Sequence, residues 1–166
     1  MRTWLVAGAL VEAPEGLLLV RNERRGGRSD WSTPGGVIDE SDLTLLDGLS
    51  REVEEETGLR VTRWEGPLYD VECIAVDLGW TLRAEIHRAV AYEGELRVED
   101  PDGIVVEAEF VAHDQCLARL AAGARWVHEP LGEWLVERWG PTDPRGYRYA
   151  VHGTHHEELS VHRGEP

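Results

Sequence analysis

Glu52, Glu55 and Glu56 stand at positions i, i+3 and i+4 of the run Arg51-Glu52-Val53-Glu54-Glu55-Glu56-Thr57-Gly58-Leu59. A helix turns about 100° per residue, so all three carboxylates share one face. Like charges crowded there repel one another and should raise at least one carboxyl pKa. They also lie near the helix C-terminus, where the dipole disfavours anions. A hard divalent cation resolves both conflicts, because Mg2+ takes oxygen ligands, keeps several waters and accepts phosphate oxygens. Arg51, four residues before Glu55, can pair with it and fix its orientation. A bare acidic run reads as a solvated helix face. The preceding stretch, Trp31-Ser32-Thr33-Pro34-Gly35-Gly36, changes that reading. Its glycines let backbone amides and carbonyls approach a ligand closely. A Gly-rich bend on one side and a carboxylate helix on the other make a site for a metal and its phosphate.

These residues need a frame. The sequence predicts a helix over Thr44–Thr57, with Thr44 as N-cap, Asp47 as a shortened capping-box acid, Leu46, Leu49 and Val53 facing the core, and Gly58 as C-cap. Thr3–Val11 and Gly16–Arg21 read as a β-hairpin around Ala13-Pro14-Glu15-Gly16. Arg24–Asp30 is a polar, Gly-rich loop. Strand-like runs follow at Arg60–Trp64, Leu68–Val76, Thr81–Tyr92 and Ile104–Val111. Asp114–Ala122 and Glu129–Trp139 read as short helices, and Tyr147–His162 as a late hairpin. One dominant helix between strands, with more helix near the end, predicts an α/β (α+β) sandwich with a mixed sheet. The expected organisation is a domain over 1–140 and a C-terminal extension over 141–166 packed on it.

Composition narrows the partners. The 166 residues suit one domain, and 42% hydrophobic content supports a core. A net charge of −15 argues against long nucleic acid, which needs clustered cations. All 17 basic residues are Arg, which excludes a lysine Schiff base or a Walker A lysine. No apolar run approaches the ~20 residues of a membrane span. The N-terminus lacks the order of a signal peptide, so the expected location is cytoplasmic. Cys73 and Cys116 make neither a disulfide framework nor a CxxC knuckle and read as small buried residues.

Gly36 to Leu59 resembles the Nudix box: Gly, five residues, Glu, seven residues, then Arg-Glu-aliphatic-x-Glu-Glu-x-Gly-aliphatic. Arg51 to Leu59 matches every defined position of the second half, and Trp31 to Gly36 supplies the family's preceding Trp-x-x-Pro-Gly-Gly. The first half departs: counted from Gly36, Asp42 stands at the first Glu position, but counted back from Arg51 that position is Leu43. One extra residue separates the glycines from the helix. The resemblance implies a MutT-like Nudix fold, an α/β/α sandwich, and a pyrophosphohydrolase acting on phosphorus-containing anhydrides. It implies Mg2+, with Mn2+ as a substitute, and a nucleoside-diphosphate-linked small molecule as substrate. Glu52 and Glu56 are then metal ligands, Glu55 a ligand or water-orienting carboxylate, and Gly36 a backbone carbonyl donor. Arg51 positions the carboxylates. A homodimer is compatible with the family. The alternative is a non-catalytic Nudix-fold nucleotide-binding or regulatory domain.

Other residues carry balanced readings. Arg21 is a candidate for substrate phosphate alongside Gly35 and Gly36, or it pairs with a surface acid. Glu107 and Glu109 are general-base candidates, or the exposed face of a strand. Trp31 reads as packing, and so do Trp126, Trp134 and Trp139 beside the late helices. His152, His155, His156 and His162 match no metal motif and read as a surface hairpin.

Overall fold

The computed structural model describes residues 1–165. In chain order the elements are β1 (Arg2–Leu10), β2 (Glu12–Ala13), β3 (Gly16–Glu23), β4 (Ser29–Ser32), β5 (Gly35–Val37), α1 (Leu45–Thr57), β6 (Arg60–Ala75), β7 (Trp80–Glu93), β8 (Val105–Val111), α2 (His113–Leu120), α3 (Arg125–Glu137), β9 (Arg145–His152) and β10 (Ser160–Arg163). Six strands form a mixed sheet in the order β10-β9-β6-β7-β1-β5. β3 pairs with β2, β4 and β8 in a second sheet. α1 packs against β1, β5 and β6, while α2 lies on β3 and β4 and α3 on β6 and β9. The α/β class read from the sequence is the class observed.

The expected hairpin of the first two apolar runs does not form. β1 lies between β7 and β5 in one sheet, β3 belongs to the other, and only the two residues of β2 fold back on β3. The physical reason is the alternation of buried side chains. Leu10, Leu17 and Leu19 enter one core cluster, and Ala9, Val11 and Leu18 enter another. Strands buried on both faces need a layer above and below, which a lone hairpin cannot provide. Arg60–Trp64 and Leu68–Val76, read as two strands, are one strand whose register against β7 shifts around Gly66-Pro67. α3 begins at Arg125, four residues before the expected Glu129, and carries Pro130 inside it.

α1 forms where the pattern places it. Thr44 Oγ1 accepts from the Asp47 N–H at 3.1 Å, and Gly58 closes the helix at φ 80°, its N–H bonded to Glu54 O. Leu49 and Val53 are fully buried, each contributing about 1.5–3 kcal/mol. Leu46 is partly buried against the same cluster. Thr44→Ala is expected to cost about 1 kcal/mol of stability, measured as a lower urea midpoint with an unchanged m-value.

No described helix is long and apolar enough to cross a membrane. Both cysteines are buried and free.

Candidate active site

α1 presents Glu52 and Glu56 to a cleft of about 480 Å³, opposite Gly35 and Gly36 of β5 and the Val6–Gly8 segment of β1. The Gly35 N–H donates to Glu56 Oε2 at 3.2 Å. A Cβ on Gly36 would stand 2.8 Å from the Glu52 carboxyl carbon, and one on Gly35 would stand 2.1 Å from the Ala7 carbonyl oxygen. The narrow β5 is therefore wedged between β1 and the carboxylates, and glycine makes the wedge thin enough.

Arg51 organises the acids around it. Its Nη1 donates to Glu52 Oε1 at 3.1 Å and to Glu55 Oε2 at 3.3 Å. Its Nε and Nη2 donate to Asp42 Oδ1 and Oδ2 at 3.0 and 2.9 Å. This fork settles the register left open by the extra residue: Asp42 faces the helix, whereas Leu43 is 93% exposed. Gly48 makes the approach feasible, since a Cβ there would stand 2.6 Å from Asp42 Oδ2. The Arg51 guanidinium and the Asp39 N–H hold the Asp42 carboxyl below its ordinary range. Among the described residues no three His, Cys, Asp or Glu side chains are closed around one point as a metal cluster. Glu52, Glu55 and Glu56 share a helix face, and Arg51 bridges the first two.

The description "NUDIX domain" belongs to the family profile that matches residues 2–135. The chain belongs to the NUDIX domain family. A MutT-like protein of Streptomyces ambofaciens is 46% identical over 56 residues, 34% of each chain, so the match spans about a third of that curated relative. The MutT NUDIX hydrolase of Burkholderia pseudomallei is 28% identical, with TM-score 0.59 over 69% of this chain and 86% of its own. The Bacillus halodurans MutT protein shares the fold at TM-score 0.66 and 23% identity, over 98% of this chain and 99% of its own. The NUDIX domain of Shewanella oneidensis NrtR, solved with ADP ribose, has TM-score 0.66 and 20% identity, over 83% of this chain and 89% of its own.

The Nudix helix carries strained charge. Burial pushes the Glu56 carboxyl from an ordinary 4.5 up to about 9, with Glu52, Asp100 and Glu55 adding to the rise and the Gly35 N–H opposing it. Burial also raises Glu52, against the pull of Arg51. A group whose folded pKa is raised stabilises fully below its unfolded value and loses that contribution as pH climbs through the folded value. In EDTA, the melting temperature should therefore carry a downward component between about pH 4.5 and 9. Comparison with Glu56→Gln isolates it: the gap between variant and wild type should widen in the variant's favour as pH rises. Parallel curves would remove Glu56 as the source.

Not every expected residue comes to the Nudix cleft. Arg21 donates to Glu107 at 3.0 Å and approaches Glu23 at 3.6 Å, outside the cleft lining. Glu107 is engaged by Arg21, and Glu109 by Arg119 at 2.9 Å, and neither is among the cleft-lining residues. Arg24, three residues after Arg21, does line the cleft, and it is paired with Asp30 at 2.9 Å. Trp126, read as helix packing, borders the cleft as well. Trp134 and Trp139 are buried, each indole N–H bonded to a backbone carbonyl. Trp31 packs against the core beneath Arg119.

Sequence reasoning missed Asn22, Asp100 and Asp102, which also line the cleft. The signal for the two aspartates was turn chemistry in Asp100-Pro101-Asp102-Gly103. Asp100 accepts from the N–H groups of Asp102, Ile104 and Val105. The loop is anchored to the helix end by the Arg97 N–H on Thr57 O at 2.7 Å.

Proposed function

We propose that this chain is a Mg2+-dependent Nudix hydrolase that cleaves a phosphoanhydride bond in a nucleoside-diphosphate-linked small molecule. The observation that carries the reading is Glu56, a carboxylate 7% exposed on the wall of the cleft, beside Glu52 and bonded to one backbone N–H. A carboxylate held there stays protonated or takes a cation. The local chemistry fits a hard ion: the donors are all oxygens, and the thin Gly36 backbone lies directly against Glu52. Glu52, Glu55 and Glu56 would hold Mg2+, with the Gly36 carbonyl, and Mn2+ would suit the same oxygen set. When bound, the ion neutralises charge on phosphate oxygens and lowers the pKa of bound water.

The chain's own residues supply the positioning. Arg51 keeps Glu52 and Glu55 oriented and touches no substrate. Gly35 and Gly36 let the phosphates approach the backbone. Of the later acids, Asp100 and Asp102 both border the cleft; Asp100 is taken up by three backbone N–H groups, which makes Asp102 the candidate to take a proton from the attacking water. The ADP ribose bound by the Shewanella oneidensis domain supports a nucleoside diphosphate derivative as substrate. In this reading the hydrolase domain spans 1–140, and 141–166 is an extension whose β9 runs beside β6. The same reading makes the enzyme cytoplasmic and compatible with a homodimer, and its net charge of −15 argues against long nucleic acid as a partner.

The test is a product screen with nucleoside triphosphates, nucleotide sugars, ADP-ribose, NADH and diadenosine polyphosphates, each with Mg2+ or EDTA. Mg2+-dependent release of a nucleotide from one class is expected. Silence across the panel, with Mg2+ binding intact, would turn the reading to a non-catalytic nucleotide-binding domain.

A further inference from the structure

Away from the carboxylates, the cleft is bordered by Val71 of β6, Leu82 and Ala84 of β7, and Trp126 at the start of α3. Trp126 is braced edge-on against Trp80, with ring centroids 6.2 Å apart. Asn22 of β3 breaks this apolar character. It is 5% exposed and lines the same cleft. Its Nδ2 donates to Asp30 Oδ1 at 3.0 Å and to Ser32 Oγ at 2.9 Å. The Asp30 carboxylate, which also accepts from Arg24 at 2.9 Å, faces the amide nitrogen, and both amide hydrogens are used. The leftover end is Oδ1. It accepts no hydrogen bond among the described residues and is not sealed from solvent, and its residue lines the cleft.

A fixed acceptor in a nearly buried amide favours a ligand that brings a donor. The surrounding wall selects the rest of that ligand. The strip of Val71, Leu82, Ala84 and Trp126 offers apolar contact, which suits the faces of a nucleobase whose N–H edge supplies the donor. We propose that Asn22 Oδ1 is the base-reading acceptor of this cleft, taking a hydrogen bond from an amino or ring N–H of the substrate's nucleobase while Trp126 and the aliphatic strip pack its faces. This rests on the hydrolase reading and narrows its substrate to nucleotides recognised through the base.

Binding is measured by calorimetry on the full chain in EDTA, which keeps it independent of turnover. The probes are the 5′-monophosphates of adenosine, guanosine, cytidine and uridine, purine riboside 5′-monophosphate (whose base has no N–H donor) and ribose 5-phosphate. The tightest natural nucleotide is expected to bind at least about tenfold better than ribose 5-phosphate and than the purine riboside nucleotide. Asn22→Ala should remove the advantage over purine riboside, and Trp126→Leu the advantage over ribose 5-phosphate. If Asn22→Ala fails to fold, the comparison of probes on the wild-type chain still decides. Equal binding of all probes, or no nucleotide binding, overturns the proposal. Mg2+-dependent cleavage with no base preference would overturn the subsite alone. Base-selective binding without any cleavage would overturn the hydrolase reading and leave the subsite standing.

Discussion

Glu56→Gln is expected to lower kcat/KM for the cleaved substrate by roughly a thousandfold or more, about 4 kcal/mol of transition-state stabilisation. Glutamine has nearly the shape of glutamate, and its oxygen can still accept from the Gly35 N–H that now meets Glu56 Oε2. The change removes charge and little else. In the metal-free protein that charge is a burden, because burial raises the carboxyl to about 9. The variant should therefore be at least as stable as wild type at pH 8 in EDTA while losing turnover at saturating Mg2+. Lost activity together with unfolding would report a damaged fold, not a missing ligand, so melting curves and kinetics belong in the same experiment. Glu55→Gln tests the neighbouring carboxylate in the same way. Full activity in both variants would sink the assignment of this helix as the metal site.

The second large effect separates two adjacent glycines. Gly35→Ala should cost about 3 kcal/mol or more, lowering the melting temperature by roughly 10 °C. Its Cβ would meet the Ala7 carbonyl oxygen at 2.1 Å, at a residue whose φ is 148°. Both obstacles are backbone, so β5 itself must leave β1. Gly36→Ala meets the end of the Glu52 side chain at 2.8–3.1 Å, which can swing away. Its stability should change by about 1 kcal/mol or less. Glu52, however, would be displaced from the cleft, and the Mg2+ concentration for half-maximal activity should rise roughly 10–100-fold. Thermal melts and Mg2+ titrations on the pair should give opposite rankings. An unshifted melt for Gly35→Ala, or an unshifted Mg2+ requirement for Gly36→Ala, would contradict the wedge geometry.

Much of the frame was legible because it is written in local chemistry. Thr44, Gly58 and the spacing of Leu49 and Val53 define α1 without reference to any other element, since caps and helical periodicity act within one or two turns. The Glu52-Glu55-Glu56 face follows from the same periodicity. Strand partners were less accessible. Apolar runs such as Ala7–Val11 and Leu17–Val20 state that they are buried on both faces but do not state what covers them, and sequence proximity suggested a hairpin that the two-sheet packing overrides.

The site divides in the same way. The sequence by itself determined the carboxylate helix, the glycine bend and the family to which they belong, because spacing along one helix and one bend suffices to define them. Tertiary structure alone decided that Asp42 and not Leu43 meets Arg51, because a loop with one extra residue can turn either side chain inward until Gly48 opens space for one of them. It also decided that Arg24 and Trp126 border the cleft while Arg21, Glu107 and Glu109 are spent on ion pairs. Asn22 is the sharpest case: the use of its amide hydrogens by Asp30 and Ser32 depends on the pairing of β3 with β4. A side chain's type sets what it can donate or accept, but only its neighbours in space determine which of those capacities remain for a ligand.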